Sequence, residues 1–220
     1  MDDAERIRRA LPTLPIFPLP GAVLLPHALV PLHIFEPRYR KMTKDCEGGL
    51  RVLALANIPD DRAAGERPPR VAQVIGVGVL AKVEPLPDGR FNIVVRGVRR
   101  ASIEQELATA EPYRLVRATP LDPAKASPEA ARMAADLKQL VLAFAAALRN
   151  EETRTLAQLA ARAADPGDLA DVVAGALLST PRDRQAVLEA VQIEPRLELA
   201  LQAAAAALAR TASNASSAPN

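Results

Sequence analysis

Proline spacing near the start of the chain is the feature that most limits how this sequence can fold. Between residues 12 and 37 there are seven prolines, and together they exclude a continuous helix, because proline lacks the N–H that a helix interior needs. The apolar runs between them, residues 14–17 and 29–35, predict two short strands joined by a turn at Pro20-Gly21. Proline in a strand favours sheet edges, strand starts and bulges. A helix over residues 36–47 is expected next, with Pro37 in its first turn.

Five more segments with strand-like patterns follow, at residues 51–58, 71–84, 91–96, 98–105 and 113–121. Asp88-Gly89 indicates a hairpin tip, and Gly97 is interpreted as a break between two strands. Residues 1–10 are charged and are interpreted as a frayed lead-in, and residues 59–70 as a polar loop. About seven strands at this spacing predict a small barrel or sandwich over residues 11–121.

Alanine-rich sequence dominates the second half and predicts a helical bundle over residues 127–209. Ser127 is expected to cap the first of five helices, and Asp165, Thr180 and Pro195 stand near the starts of later ones. Residues 210–220 are small and polar, so they are expected to form a disordered tail. The sequence therefore predicts an α+β protein, with a β-rich domain followed by helices.

Composition excludes several classes of function. The net charge is only +2, whereas a dedicated nucleic-acid-binding protein is usually strongly basic. A single cysteine, Cys46, excludes an intrachain disulfide. The chain has no apolar run long enough to span a membrane and no signal-like start, so a soluble cytoplasmic protein without a membrane partner is expected. No glycines have the spacing of a phosphate-binding loop, so ATP hydrolysis is not expected of this chain.

Two blocks of sequence resemble the Lon N-terminal domain family. The first, LPIFPLPGAVLLPHALVPLHIFEPRYRKM, matches the family pattern at many positions and includes the unusual string IFEPRYR at residues 34–40. The second, IGVGVLAKVEPLPDGRFNIVVRGVRRASI, matches at Gly76, Asp88, Gly89, Arg96, Gly97 and Arg99. The resemblance extends over about residues 12–208.

This resemblance implies a PUA-like β pseudo-barrel followed by an α-helical bundle. In full-length Lon proteases this region binds substrate proteins and contributes to assembly, and an ATPase and a Ser–Lys peptidase follow it. The resemblance therefore implies a non-catalytic module that binds unfolded or native protein substrates, alone or with a Lon-type protease or a chaperone, and that needs no cofactor.

Two surfaces are candidates for binding. An extended peptide needs a groove or an open strand edge, and the candidate groove residues are Phe17, Leu24, Ile34, Phe35, Arg38 and Tyr39. Apolar residues in short strands usually belong to the core, which is the competing interpretation of this set. The alternative is a PUA-like, RNA-binding regulator that uses a basic strand face made of Arg90, Arg96, Arg99 and Arg100. Stacking platforms for bases are scarce, since the chain has no Trp, two Tyr and four Phe.

No catalytic or metal-binding residues are assigned. His27, His33 and Cys46 are too few and too irregularly spaced for a zinc site, which needs three or four converging ligands. A nucleophilic Cys46 is not favoured either, because a neighbouring carboxylate raises the pKa of a thiol. These residues therefore predict no enzyme, and the protein-binding role is what the resemblance implies.

Overall fold

The computed structural model describes residues 1–59, 68–122 and 125–216. The chain divides into two compact units, Met1–Asp122 and Pro123–Asn220. The first unit contains a β-sheet, and the second is helical throughout its regular structure as far as it is described. The prediction of an α+β chain, with a β pseudo-barrel followed by helices, is confirmed.

The chain begins with a helix, α1 (Asp3–Ala10), so the prediction of a frayed lead-in is wrong. The Asp2 carboxylate caps this helix by accepting the Glu5 backbone N–H at 2.8 Å. Ile7 and Ala10 are buried, and with Leu11 they form a narrow apolar stripe among charged side chains. Two turns of helix are too short for such a stripe to stand out in the sequence. One 3-10 turn (Leu11–Thr13) leads into the first strand.

Six strands form one sheet within the described ranges. They are β1 (Leu14–Pro20), β2 (Leu29–Ile34), β3 (Val52–Ile58), β4 (Val74–Pro85), β5 (Phe91–Leu107) and β6 (Arg114–Pro120). The strand order is β2-β5-β4-β3-β1-β6, and β5 also pairs with β6, so the pairings run round a ring. Only β1 and β3 are parallel. Strand β2, which contains Pro31, lies at the end of this order, whereas β1, which contains three prolines, lies between β3 and β6.

Gly97 does not divide two strands, so the described residues contain six strands where the sequence predicts about seven. It lies inside the continuous 17-residue strand β5. A Cβ atom added there would lie 2.0 Å from the Leu25 carbonyl oxygen, and one added at Gly76 would lie 1.9 Å from the Leu24 oxygen. These glycines allow the segment at residues 24–25 to lie directly on the sheet.

Both faces of the sheet are buried, and β3 is buried along its whole length. On one face, α1 packs with Val52, Ala54 and other small or β-branched side chains. The opposite face carries Leu53 and Leu55 and packs against a second helix, α2 (Pro37–Gly48). Successive side chains of β3 therefore point alternately into the core on the α1 side and the core on the α2 side, as strand geometry requires.

The second unit contains five helices within its described residues. They are α3 (Pro128–Leu148), α4 (Glu151–Arg162), α5 (Pro166–Leu177), α6 (Pro181–Glu189) and α7 (Ile193–Ser216). The side chains of Ser127, Asn150, Asp165 and Thr180 cap the first four by accepting backbone N–H groups. Helices α3, α4, α5 and α7 share one apolar core.

Helix α7 continues beyond the predicted end of the bundle at residue 209. Residues 210–216, which the sequence assigned to a disordered tail, are helical. The hydroxyls of Thr211 and Ser213 donate to the carbonyl oxygens of Leu208 and Ala209, one turn earlier. These bonds occupy side chains that otherwise compete with a helix backbone. The rest of the predicted tail, residues 217–220, lies outside the described residues.

Candidate functional site

The six predicted groove residues fall into two groups. Phe17, Leu24 and Ile34 are at most 5% exposed and belong to the core beneath α2. Tyr39 is equally buried, but its ring also lines a cavity. Phe35 is 60% exposed at the end of β2, with its ring stacked 6.3 Å from that of His33. Arg38 is half exposed and lines the same cavity as Tyr39. The competing interpretation as core residues therefore describes Phe17, Leu24 and Ile34.

The cavity of about 590 Å³ that Arg38 and Tyr39 share is the largest of those described in the first unit. We call it the proline groove, because five of its twelve lining residues are prolines. Its lining consists of Pro18, Leu19, Pro20, Glu36, Arg38, Tyr39, Ile58, Pro68, Pro69, Pro112, Tyr113 and Arg114.

The groove forms where β1 separates from β6. Strand β6 pairs with β1 only as far as Ile16, opposite Arg114, whereas β3 pairs with β1 up to Pro20. Within the described residues, the stretch from Phe17 to Pro20 thus has a strand on one edge only. Backbone groups alternate in direction along a strand, and prolines cannot donate. Pro18 and Pro20 therefore bring no backbone donor to either edge of this stretch.

Tyr39 lies at one side of the proline groove and is held from two directions. The Phe17 ring packs behind it, with 4.1 Å between ring centroids, and the Arg38 guanidinium lies 4.5 Å from the centroid of its ring. Arg38 also pairs with Glu36 at 2.8 Å. Burial raises the pKa of the Tyr39 phenol, so the hydroxyl stays protonated at neutral pH. No described group bonds this hydroxyl, which leaves it able to donate to a ligand.

Arg114 fixes another wall of the groove. Its guanidinium makes two hydrogen bonds of 2.7 Å to the Glu106 carboxylate and a third, of 2.8 Å, to the Pro69 carbonyl oxygen. Such a bidentate pair is geometrically rigid. The bond to Pro69 therefore holds the chain that follows residue 67 against the start of β6.

A polar cluster on α2 holds the segment before β6. Lys41 bridges Asp45 at 2.7 Å and Glu111 at 2.8 Å, and the Tyr113 hydroxyl donates to Asp45 at 2.8 Å. The hydrogen bond between Lys41 and Asp45 raises the pKa of the lysine and lowers that of the carboxyl group. Burial raises the pKa of the Tyr113 phenol, with a further contribution from Asp45. The cluster positions Pro112 and Tyr113 at the rim of the groove.

The four arginines of the alternative basic face do not form one free cationic surface. Arg90 pairs with Asp88 at 2.6 Å, Arg99 pairs with Asp122 at 3.2 Å, and Arg96 pairs with Asp3. Arg100 is only 5% exposed. Arg99 and Arg100 pair with consecutive residues of β4, so they project from opposite faces of the strand.

The histidines and the cysteine lie in separate environments. His33 bonds the Asn92 side-chain oxygen at 2.8 Å and the Arg90 guanidinium at 3.2 Å. His27 occupies a turn with a φ of 66°. The buried Cys46 thiol donates to the Val52 carbonyl oxygen at 3.4 Å, and burial raises the pKa of this thiol to about 12. Among the described residues no group of three potential metal ligands converges. No helix in the described part is long and apolar enough to cross a membrane.

Sequence reasoning missed most of the groove because it searched for large apolar side chains. The lining prolines stand next to strand ends: Pro18 and Pro20 close β1, and Pro112 precedes β6. Their common trait is the missing N–H, which has no periodicity and becomes visible only when separate segments meet. The signal in the sequence that indicates this groove is the clustering of proline at the ends of predicted strands.

Comparison with known proteins identifies the family. Residues 13–205 match the model of the ATP-dependent protease La (LON) substrate-binding domain. The chain is 32% identical over 192 residues to the Lon protease of Roseiflexus castenholzii and 32% identical over 198 residues to that of Chloroflexus aurantiacus. Each alignment covers 86% of this chain but 23% of the relative. The chain thus spans about a quarter of the length of these relatives.

Solved structures share the fold. The N-terminal domain of the Mycobacterium avium complex Lon protease superposes with a TM-score of 0.69 at 24% identity, covering 88% of this chain and 98% of that domain. A Lon N-terminal domain protein from Xanthomonas campestris gives a TM-score of 0.61 at 21% identity, with 86% and 97% covered. The resemblance noted in residues 12–208 is confirmed. The chain belongs to the family of Lon substrate-binding domains.

Proposed function

We propose that this chain is a non-catalytic module that binds extended segments of protein substrates in the proline groove. The observation that carries the proposal is the groove itself, which combines an open strand edge with a lining rich in proline and tyrosine. The family match supports protein substrates as the ligand class, since the matched model is a substrate-binding domain. The likeness to Lon proteases makes a Lon-type protease or a chaperone the partner that would process or receive the bound protein.

The hydrogen-bonding character of the groove favours a polypeptide as its ligand. The five lining prolines have backbone carbonyl acceptors and no N–H donors, and among these acceptors the Pro69 carbonyl oxygen is already bonded to Arg114. An extended polypeptide brings N–H donors that match these acceptors, and its own carbonyl groups can accept from the Tyr39 hydroxyl. A nucleic-acid backbone brings phosphate acceptors instead, and the two guanidinium groups of the lining, Arg38 and Arg114, are already paired with Glu36 and Glu106. The pairing of Arg90, Arg96 and Arg99 with carboxylates also leaves the RNA-binding alternative without a supporting observation.

A binding experiment with an unfolded model protein tests the proposal. The probe is fluorescein-labelled, reduced and carboxymethylated α-lactalbumin, and its binding to the full chain is followed by fluorescence anisotropy. Pro20→Glu combined with Pro112→Glu places charges at two exposed positions of the groove. We expect the Kd to rise about ten-fold, equivalent to ~1.4 kcal/mol. Tyr39→Phe removes one donor and should raise the Kd by about two- to ten-fold.

Matched controls separate a groove effect from a charge or folding effect. Pro85→Glu combined with Pro87→Glu adds the same charge at two exposed prolines outside the groove, and its Kd should stay within about two-fold of the original value. Thermal unfolding verifies that each variant is folded. Equal binding by the groove variant and the control variant would contradict the assignment of the groove. Binding of single-stranded RNA alone, with a steep salt dependence, would contradict the proposed ligand class.

A further inference from the structure

The helical unit carries a second open groove, formed by α4 and α5. Its volume is about 420 Å³, and its lining consists of Glu151, Glu152, Thr155, Leu156, Leu159, Val172 and Ala176. We call it the helical groove. On α4 the lining positions from residue 152 to residue 159 follow the i, i+3, i+4, i+7 spacing of one helix face. On α5, Val172 and Ala176 are one turn apart.

The floor and one wall of the helical groove are apolar, and part of that surface is open to solvent. Leu156 is 5% exposed and belongs to the core of the unit, whereas Leu159 is 47% exposed on the same face of α4. A large aliphatic side chain left this open beside a concave surface is typical of an interaction site.

The two ends of the helical groove differ in charge. Glu151 and Glu152 lie in the first turn of α4, where the partial positive charge of the helix N-terminus favours carboxylates. In the described part of the chain neither carboxylate forms an ion pair. Leu159 lies about two turns further along the same face of α4, so one end of the groove carries carboxylates and the other end is apolar.

The backbone of the groove walls selects the shape of the ligand. Both walls are helices, whose backbone groups are bonded within each helix except in the first turn of α4. An extended peptide would find few backbone partners there and would bury unsatisfied N–H and C=O groups. A helical ligand satisfies its own backbone and needs only an apolar face to fill the groove.

We propose that the helical groove docks an amphipathic helix of a partner protein, with its apolar face on Leu156, Leu159 and Val172 and with lysine or arginine facing Glu151 and Glu152. This second surface lies within the helical unit and is distinct from the proline groove, which lies within the first unit. It would allow one chain to hold a substrate segment and a partner protein at separate sites.

A peptide-binding experiment on the full chain tests this docking site. The probe is a fluorescein-labelled amphipathic helix about 18 residues long, built of leucine and lysine with the leucines on one face, because shorter isolated helices are marginal in water. Two matched peptides replace every lysine with glutamate or scatter the leucines around the helix. Only the first peptide should bind tightly, and the methyl NMR signals of Leu156, Leu159 and Val172 should shift on its addition.

Variants locate the site and its charge. Leu159→Asp should weaken binding of the leucine–lysine peptide at least about ten-fold, and Glu151→Lys with Glu152→Lys should weaken it about ten-fold at low salt and less at high salt. The matched controls are Leu142→Asp, at a leucine 51% exposed on α3, and Asp136→Lys with Glu198→Lys, at two exposed acidic residues outside the groove. These controls should bind as the original chain does.

Several outcomes would overturn the proposal. If the glutamate peptide bound as tightly as the lysine peptide, the carboxylates would not select a basic partner. If the methyl shifts were confined to other residues, the peptide would bind outside the helical groove. A dimer in sedimentation experiments that Leu159→Asp dissociates would show that a second copy of the chain occupies the groove instead. Binding of unfolded α-lactalbumin should be unchanged in all these variants, so the two grooves fail or succeed separately.

Discussion

At the scale of single residues, the absence of a side chain at Gly97 allows the segment before β2 to pack against β5. Gly97 accepts the His27 backbone N–H and donates to the Ala28 carbonyl oxygen, each at 2.9 Å, so the chain before β2 lies directly on β5. The Leu25 carbonyl oxygen occupies the place that a Cβ atom would need. Because the nearest atoms to such a Cβ atom belong to the Leu25 backbone, no flexible side chain can move aside to relieve the clash.

Gly97→Ala should therefore destabilise the protein. We expect a loss of about 1–3 kcal/mol in the free energy of unfolding, measured by urea denaturation, because the added methyl group must displace backbone at residue 25. Gly48→Ala is the matched control, since a Cβ atom at this helical glycine meets nothing within 4 Å. It should be neutral or stabilise by up to about 1 kcal/mol. A Gly97→Ala protein as stable as the control would disprove the close contact.

The candidate groove shows how far single residues could be predicted. Of the predicted residues, Arg38 and Tyr39 at the start of α2 line the proline groove. Phe17, Leu24 and Ile34 are core residues instead. For Phe17 and Ile34, alternation along a short strand indicates a buried face but not what covers it. That cover is α2 and the segment at residues 24–25, whose positions depend on contacts distant in sequence.

At the scale of elements, α2 connects the sheet to the rim of the proline groove. Its buried side, with Met42 and Cys46, packs on the sheet, and its exposed side carries Lys41 and Asp45. Lys41 holds Glu111, and Asp45 accepts from Tyr113, so the segment that leads into β6 is tied to the helix by charged groups. Hydrogen bonds to charged partners are stronger than neutral ones, and they depend on pH.

The contribution of this cluster to stability should be largest near neutral pH. The pKa of Asp45 is lowered in the folded protein, so its contribution is present above the unfolded value of 3.8 and is lost as the pH falls through the folded value. The pKa of Lys41 is raised, so its contribution is present below 10.5 and is lost as the pH rises above the folded value. Urea midpoints of the original chain and of Asp45→Asn should differ between about pH 5 and pH 9 and converge below about pH 4.

Lys41→Met provides the control for this pH dependence. The hydrogen bond to Lys41 is the main cause of the lowered Asp45 pKa. In a Lys41→Met background, the effect of Asp45→Asn on the urea midpoint should therefore change less between neutral and acid pH. A constant difference between the original chain and Asp45→Asn from pH 3 to pH 7 would contradict the assignment.

Elements could be predicted where their signals are local. Three helices of the second unit begin close to the expected residues, because Ser127, Asp165 and Thr180 are capping residues directly before apolar periodicity. The extent of β5 could not be predicted in this way. Gly97 breaks a strand on propensity alone, and only the contact with residues 25–28 shows why the strand continues through it.

At the scale of the whole molecule, each described core cluster lies within one unit. The helical unit also buries an ion pair, in which the Arg196 guanidinium lies 2.9 Å from the Asp171 carboxylate and both side chains are at most 3% exposed. The pair joins α5 to α7, and Arg196 also donates to the Gln192 and Val191 carbonyl oxygens. No local pattern in the sequence indicates this pair, because the two residues are 25 positions apart and lie on different helices.

Arg196→Met should destabilise the helical unit strongly. It leaves the Asp171 carboxylate buried without its partner, and breaking a buried pair in this way costs about 3–5 kcal/mol. Since each unit has its own core, we expect amide hydrogen exchange to accelerate in α5 and α7 while the amides of β3 keep their protection. The measurement is hydrogen exchange on the full chain, resolved by peptide.

Asp171→Leu combined with Arg196→Met separates the loss of the pair from the loss of packing. With both charges replaced by apolar side chains no carboxylate is stranded, so most of the lost protection in α5 and α7 should return. A double variant as unstable as Arg196→Met would show that Arg196 stabilises α7 through its bonds to the Val191 and Gln192 carbonyls instead. Equal acceleration of exchange in β3 would show that the two units unfold together, and would contradict the division of the molecule into separately stabilised cores.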